Sequence, residues 1–361
     1  MISSSSALES LLLRLAPLTR VALDTEADSL HCYFEKICLI QVGLPEEHLL
    51  VDPLAGFSLQ PLYDLLAPKT LVMHGSDYDL RLFARTGQFE PSEVIDTMIA
   101  ARLIGLKELG LAALVQKYFD VTLSKASQKA NWGMRPLSDK MVEYARNDTR
   151  YLLELASILE AELRRLERWD WFTESCARVM AAARDPKPRD DAQAWRITGS
   201  SLLSPRAQAI VRALWIFRDA EARRWDRPPF HVIGNAELLA ISAAVAEGKP
   251  FSTPRFSTER RRRFDQALAV ALSLEPHKWP EPVRGERRRP SKTQLDRFEE
   301  LRKIRDTAAT SLQLDPSILA SRSALESLAF ADDASGLMNW QLRLLGPEAM
   351  GRIEPSSSLA N

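Results

Sequence analysis

Asp24 and Glu26 stand two positions apart at the end of the apolar run Val21-Ala22-Leu23. In a β-strand, residues i and i+2 point to the same face, so the two carboxylates sit side by side where the strand leaves the core. Like charges placed there repel and lose hydration. A bound divalent cation resolves both costs, because hard cations take oxygen ligands. The alternative is a strand end that runs into a solvated acidic turn. Two further acidic positions bear on the choice. Asp79 follows His74-Gly75-Ser76 three residues after Ser76, at the start of a helical pattern. There it could serve a capping box with Ser76, while Asp77 could complement the helix dipole. A carboxylate just past a strand end also lies where open α/β sheets place their ligands. Asp148 falls on the stripe Met141, Tyr144, Ala145, Asp148, Tyr151, Leu152, Leu155. That stripe should face the core, where a charge is costly unless it is paired. Tyr144 precedes Asp148 by one turn on the same face.

Several elements must position these residues. Ser6-Ala7-Leu8-Glu9 reads as a capping box opening a helix through Leu15. Strands are predicted over 21–27, 37–42, 48–52, 70–74 and 94–96, with helices over 59–66 and 77–86. From Thr97 to about Ala183 the pattern is mostly helical. Strands and helices mixed in this way predict an α/β domain with a mixed sheet flanked by helices. Asp185-Pro186-Lys187-Pro188-Arg189-Asp190-Asp191 is a polar, proline-punctuated boundary. Beyond it the signal is helical, over 205–226 and 236–247, and again after a Pro- and Arg-rich connection near 276–291. The tail from Glu354 reads as frayed. Ile216-Phe217-Arg218-Asp219 is echoed 87 positions later by Lys303-Ile304-Arg305-Asp306. Each copy is followed 17 or 18 residues on by a helix start, a pattern that suits two copies of one small helical module.

Composition narrows the class. The 361 residues hold 45% apolar and 27% charged residues, values of an ordinary globular protein, and allow two or three domains. Formal charge is zero, yet residues 1–150 carry 15 basic against 19 acidic side chains while residues 255–305 carry 15 against 8. That asymmetry suits carboxylate ligands in one place and a polyanion-attracting surface in another, though a solvated helical surface would also produce it. Cys32, Cys38 and Cys176 are too few and too scattered for a disulfide framework or a zinc site, which fits a reducing, cytoplasmic compartment. No apolar run approaches a membrane span, and Arg14 interrupts the first apolar stretch, which argues against a signal peptide.

The order D-x-E, then Tyr78-Asp79 at a helix start, then Tyr144-x-x-x-Asp148 resembles the three exonuclease motifs of the DEDD superfamily, tyrosine subclass. The surrounding residues are similar to the ribonuclease D family: Cys38-Leu39-Ile40-Gln41, Asp79-Leu80-Arg81-Leu82-Phe83, Trp132 with Arg135-Pro136-Leu137-Ser138, and Tyr144-Ala145-Arg146-Asn147-Asp148-Thr149-Arg150-Tyr151. The repeated helical unit resembles the HRDC module, of which that family carries two. The resemblance implies an RNase H-like 3′–5′ exonuclease domain over 1–185 and two all-α HRDC modules over 200–282 and 290–350. Asn131 stands before Trp132 where the family often has aspartate, so no substrate role is carried to position 131.

The resemblance also implies a mechanism. Asp24, Glu26, Asp79 and Asp148 would hold two Mg²⁺ or Mn²⁺ ions about 3.5–4 Å apart. One ion would acidify the attacking water, and both would stabilise charge on the scissile phosphate. Tyr144 would orient that water, since a phenol pKa near 10 suits orientation better than proton abstraction. Trimming from a free 3′ end would release nucleoside 5′-monophosphates, with tRNA precursors the expected substrate. Single strands are held by basic grooves and stacking aromatics. Lys125, Trp132 and Arg135 are therefore candidates to line the channel, and Arg260–Arg263 and Arg287–Arg289 to contact the backbone. A DNA-directed exonuclease would use the same carboxylates. A non-catalytic RNA-binding scaffold would be favoured by a missing carboxylate, and all four are present. No G-x-x-x-x-G-K-[ST] loop occurs, which excludes a helicase and a nucleotide cofactor of that kind.

Overall fold

The structure is a computed structural model that describes residues 1–86, 89–185, 190–281 and 290–346. Most of the expected boundary at 186–189, the arginines at 287–289 and the tail beyond 346 lie outside the described residues. Five strands form one mixed sheet: β1 (Arg20–Ala27), β2 (Ile37–Gly43), β3 (His48–Val51), β4 (Thr70–Met73) and β5 (Glu93–Asp96). Their spatial order is β3-β2-β1-β4-β5. β1 pairs antiparallel with β2 and parallel with β4, so it lies at the centre, between the hairpin half and the parallel half.

Alternation along β1 sends Val21 and Leu23 to one face and Ala22 to the other. The first face packs against α1 (Ser5–Leu15), α2 (Gln60–Leu66) and α3 (Asp77–Thr86), through Leu11, Leu62 and Phe83 among others. The second face carries Ala22, Val72 and Ile95. It is covered by α4 (Thr97–Ile104), α5 (Leu111–Phe119), α7 (Leu152–Arg165) and α8 (Trp169–Arg184). On that side α6 (Asp139–Arg150) crosses β2 and β3, burying Ala145 with Leu39, Leu50 and Trp132. Gly43 makes this crossing possible. A Cβ there would stand 2.9 Å from the Ala22 Cβ and 3.1 Å from the Thr149 carbonyl oxygen.

One local expectation is corrected. Ser4, not Ser6, caps α1 by accepting from the Ala7 N–H. Ile2 also joins the sheet, donating to the Leu50 carbonyl at 2.7 Å and accepting from Asp52 at 2.9 Å. A lone residue bridging a strand leaves no periodicity in the sequence.

The helical remainder contains α9 (Pro205–Trp225), α10 (Asn235–Ala246), α11 (Thr258–Leu272), α12 (Lys292–Leu312), α13 (Pro316–Leu319), α14 (Arg322–Ala331) and α15 (Asn339–Leu345). α11 escaped the sequence reading because the run Arg260–Arg263 obscures its apolar spacing. α9 and α12 are both 21 residues long, start 87 residues apart and are capped by Ser204 and Ser291. Each ends in a left-handed residue, Asp226 and Gln313. Midway, Arg218 donates to the Ile233 carbonyl and Arg305 to the Ala320 carbonyl, the same contact at the same offset. The copies diverge after α10 and α14.

Their packing differs as well. α12, α13 and α15 contribute Ala309, Leu319 and Trp340 to the core that covers the second sheet face. Trp340 stacks on Trp171 with ring centroids 4.9 Å apart, and Arg168 donates to the carbonyls of Leu103 and Leu312. The α9–α11 unit has its own core. It meets the loop after β1 at Tyr33, which packs against that core and donates its hydroxyl to Asp219, while the Tyr33 and Phe34 N–H groups donate to Asp226.

Candidate active site

β1 delivers Asp24 and Glu26 to the second sheet face at its C-terminal end. α6 brings Asp148 over the same spot, held close by the Gly43 approach. Oxygens of these three carboxylates lie within 4.8 Å of one another. They line a cleft of about 390 Å³ together with His74, Met98, Lys125, Gln128 and Tyr144. Asp148 Oδ2 is buried and has no hydrogen-bond partner among the described residues. A dense set of hard oxygen donors with one oxygen left unsatisfied suits a divalent cation of the Mg²⁺ or Mn²⁺ type.

Asp79 is 6% exposed and is held from the opposite face of β1, where Thr25 Oγ1 donates to its Oδ1. Among the described residues no hydrogen bond joins Ser76 to Asp79 as a capping box would require. The Ser76 N–H and hydroxyl both donate to Asp96 Oδ2, at 2.7 and 2.9 Å, and Gly75 donates to Oδ1. The chain turns there with Gly75 at φ +69°, a conformation in which side chains other than glycine are strained. Asp77 pairs with Arg81 on the exposed side of α3, which separates it from the site.

Electrostatics bind the four carboxyls into one group. Burial, then the charges of Asp79, Asp148 and Glu26, push Asp24 well above the usual carboxylate range. Burial, Asp148 and Asp79 push Glu26 up to about 9. Burial and Asp79 push Asp148 up to about 7. For Asp79, burial outweighs its hydrogen bonds to Thr25 and lifts it to about 6. Crowded acids without a counter-cation hold their protons, and a divalent ion reverses that preference. Burial also raises the Tyr144 phenol above its ordinary value, reinforced by Asp148, Glu26 and Asp24. The phenol keeps its proton and can donate or orient.

The substrate candidates separate. Lys125 is exposed and lines the cleft. Trp132 does not: it is 1% exposed and supports Tyr144 from below, ring centroids 6.0 Å apart. Arg135 is likewise committed inside the protein. Its Nε and Nη2 bind Asp52 at 2.7 and 2.6 Å, and its remaining donors reach the carbonyls of Cys38, Trp132 and Met134. In α11, Arg260 and Arg263 are paired with the buried Glu221 of α9, and Arg261 with Asp265. Only Arg262 of that run has no ion-pair partner among the described residues. Local spacing does not reveal that a ring or guanidinium is spent internally. The sequence reading in turn missed Thr25 and His74. Thr25 lies between two flagged carboxylates but on the other face, and His74 reaches the cleft only through the pairing of β4 with β1.

Comparison with known proteins adds an independent line. Residues 1–164 match the family model described as a 3′–5′ exonuclease. The chain is 30% identical to a ribonuclease D from Jannaschia sp. (strain CCS1), with 94% of this chain and 91% of that one aligned. It is 32% identical to a ribonuclease D from Haemophilus influenzae, over 85% and 79% of the two chains. Among solved structures, Escherichia coli RNase D, described as an exoribonuclease involved in structured RNA processing, superposes with a TM-score of 0.70. That match has 25% identity and covers 95% of this chain and 91% of the other.

Proposed function

The chain belongs to the ribonuclease D family of hydrolytic 3′–5′ exoribonucleases, and from that premise we propose that it trims structured RNA, tRNA precursors first among them, by two-metal hydrolysis at Asp24, Glu26, Asp79 and Asp148. The observation that carries this reading is the meeting of three carboxylate oxygens within 4.8 Å at the mouth of a cleft. Bound divalent cations supply acidification of the attacking water and charge neutralisation at the phosphate.

The chain's own groups do the rest. Asp24, Glu26 and Asp148 converge from two elements, so the cation-holding geometry exists only when α6 is docked on the sheet. Asp79, steadied by Thr25, adds negative potential to all three and completes the four-carboxylate set of the tyrosine subclass. Tyr144, a protonated phenol seated on Trp132, orients the water and does not abstract its proton. Lys125, at the cleft wall, offers a cation to the RNA backbone. The repeat of α9–α10 in α12–α14 supports tandem HRDC modules, spanning about 200–282 and 290–350 beside an exonuclease domain over 1–185.

The test is digestion of a 5′-labelled tRNA precursor carrying a 3′ extension, beside an unstructured RNA and a DNA of matched sequence. The expected result is stepwise shortening from the 3′ end with release of nucleoside 5′-monophosphates, faster on RNA than on DNA. Equal or faster digestion of the DNA would overturn the RNA assignment. Indifference to the precursor would overturn the tRNA assignment alone.

A further inference from the structure

A single aromatic ring on a surface needs no explanation, but rings gathered at an open cavity beside guanidinium groups do. Between the loop after β1 and the α9–α10 connection lies a cavity of about 770 Å³, larger than the carboxylate cleft. Tyr33 of the loop and Phe230 of the connection both line it. Phe230 is 53% exposed. Phe34 is 58% exposed and meets the Tyr33 ring edge to face, with centroids 5.0 Å apart. The backbone beneath them is fastened to the helical unit, since Asp226 Oδ1 accepts from the Tyr33 and Phe34 N–H groups, each at 3.0 Å. Two rings from different units are thus held at one junction with much of their surface in water.

Cations stand at the same junction. The Arg223 guanidinium lies over the Tyr33 ring, 5.5 Å from its centroid, and Arg227 donates to the His31 carbonyl at 3.4 Å. Both arginines are exposed, and neither has an ion-pair partner among the described residues. The acids nearby are engaged within the protein. Asp219 accepts the Tyr33 hydroxyl, Asp226 the two amides, and Asp190 the N–H groups of its own turn, while Glu35 takes Tyr78 and Arg85. Rings that can stack bases and guanidinium groups that can meet phosphates are what holds single-stranded nucleic acid. The junction also adjoins the candidate active site. Its loop leaves β1 directly after Glu26-Ala27, and Tyr78, which donates to Glu35 at 2.8 Å, immediately precedes Asp79.

We propose that Phe34 and Phe230 form a stacking subsite for bases of single-stranded RNA upstream of the 3′ end held at the carboxylates, with Arg223 and Arg227 meeting its phosphates. This rests on the ribonuclease reading above and deepens it, because it assigns a second contact region to the same substrate, outside the cleft. Stacking accepts any base, so the subsite holds the strand without reading its sequence.

The test is fluorescence anisotropy of a 5′-labelled long oligoadenylate bound by the full chain in EDTA, so that binding is read without hydrolysis. Phe34→Ala and Phe230→Ala are compared with wild type and with Phe34→Tyr, which keeps a ring. The expected result is a Kd raised about 5–150-fold in each alanine variant, the loss of one stacked base. Phe34→Tyr should bind as wild type does, and melting temperatures should hold, because both rings are exposed. With Mg²⁺ present, KM for the long strand should rise at unchanged kcat, while a dinucleotide, too short to leave the cleft, should be cleaved as by wild type. Wild-type Kd in the folded alanine variants would overturn the inference in favour of a protein-binding surface and leave the metal-site reading intact. Slower cleavage of the dinucleotide would overturn it too, by placing the effect at the cleft. Absence of RNA binding by the wild-type chain would overturn this inference and the ribonuclease reading together.

Discussion

Asp148 concentrates the chemistry at the scale of single residues. It is a half-buried acid on an apolar helix face, with a raised pKa and one buried oxygen that has no hydrogen-bond partner among the described residues. Carboxyls whose folded pKa exceeds the unfolded value bind protons more tightly when folded. The stability they contribute is fully present below about pH 4. It is lost as pH rises through about 6 for Asp79, about 7 for Asp148 and about 9 for Glu26. The metal-free protein should therefore melt at progressively lower temperature from pH 5.5 to pH 9. Mg²⁺ should raise the midpoint more at pH 8 than at pH 6, because cation binding must displace fewer protons there. In Asp148→Asn the decline between pH 6 and 8 should be shallower, as the amide is neutral throughout. Differential scanning fluorimetry across that pH series checks all three, and a flat wild-type profile would contradict the described electrostatics. Arg135 makes the contrasting case. Arg135→Ala leaves the buried Asp52 carboxylate without its cation, with the Leu54 N–H still donating to it, a loss of about 1.5–3 kcal/mol for hydrogen bonds to a charged group. It should lower stability in urea unfolding, and a KM increase at unchanged stability would restore Arg135 as a substrate contact.

At the scale of elements, the site depends on how closely α6 lies on β2. Gly43→Ala would drive a methyl against Ala22 and the Thr149 backbone. Backbone cannot step aside as a flexible side chain can, so overpacking of about 1–3 kcal/mol is expected. Because Thr149 adjoins Asp148, the same change should weaken Mg²⁺ binding. Unaltered Mg²⁺ affinity in a folded Gly43→Ala protein would show that this approach does not set the site.

The same scale explains what could be read beforehand. The strands, the Asp24–Glu26 pair and Asp148 were legible because each is a local pattern of period two or an anomaly on a 3.6-residue stripe. Asp79 was legible as a carboxylate but not as one held by Thr25, since that contact spans 54 positions. His74 gains its place in the cleft only from the register between strands, which depends on the whole sheet. Trp132 and Arg135 read from the sequence as channel residues, because aromatic and basic residues between motifs look alike whether they face RNA or the core.

Over the whole molecule, the two helical repeats stand in different relations to the sheet. The second shares a core with it through Trp340 and Ala309, whereas the first keeps its own core and meets the loop after β1 at Tyr33 and Phe34. Trp340 is 1% exposed, so Trp340→Ala should cost about 3–5 kcal/mol. The loss should appear in the transition that unfolds the sheet. A separate early transition that leaves the exonuclease part intact would contradict the shared core. Breaking Tyr33 from Asp219 by Tyr33→Phe should leave that transition nearly in place, since the α9–α11 unit has a core of its own.

The central claim is that four carboxylates hold divalent cations and that RNA is hydrolysed there from its 3′ end. Its most direct measurement follows a 5′-labelled RNA with a single-stranded 3′ end in Mg²⁺, using the wild-type chain, Asp24→Asn and Asp148→Asn. The expected result is 3′ shortening by the wild type that stops in EDTA, and at least about a 100-fold loss in each folded variant, no smaller than the loss of a supporting partner. Wild-type rates in either variant, or undiminished digestion in EDTA, would contradict it.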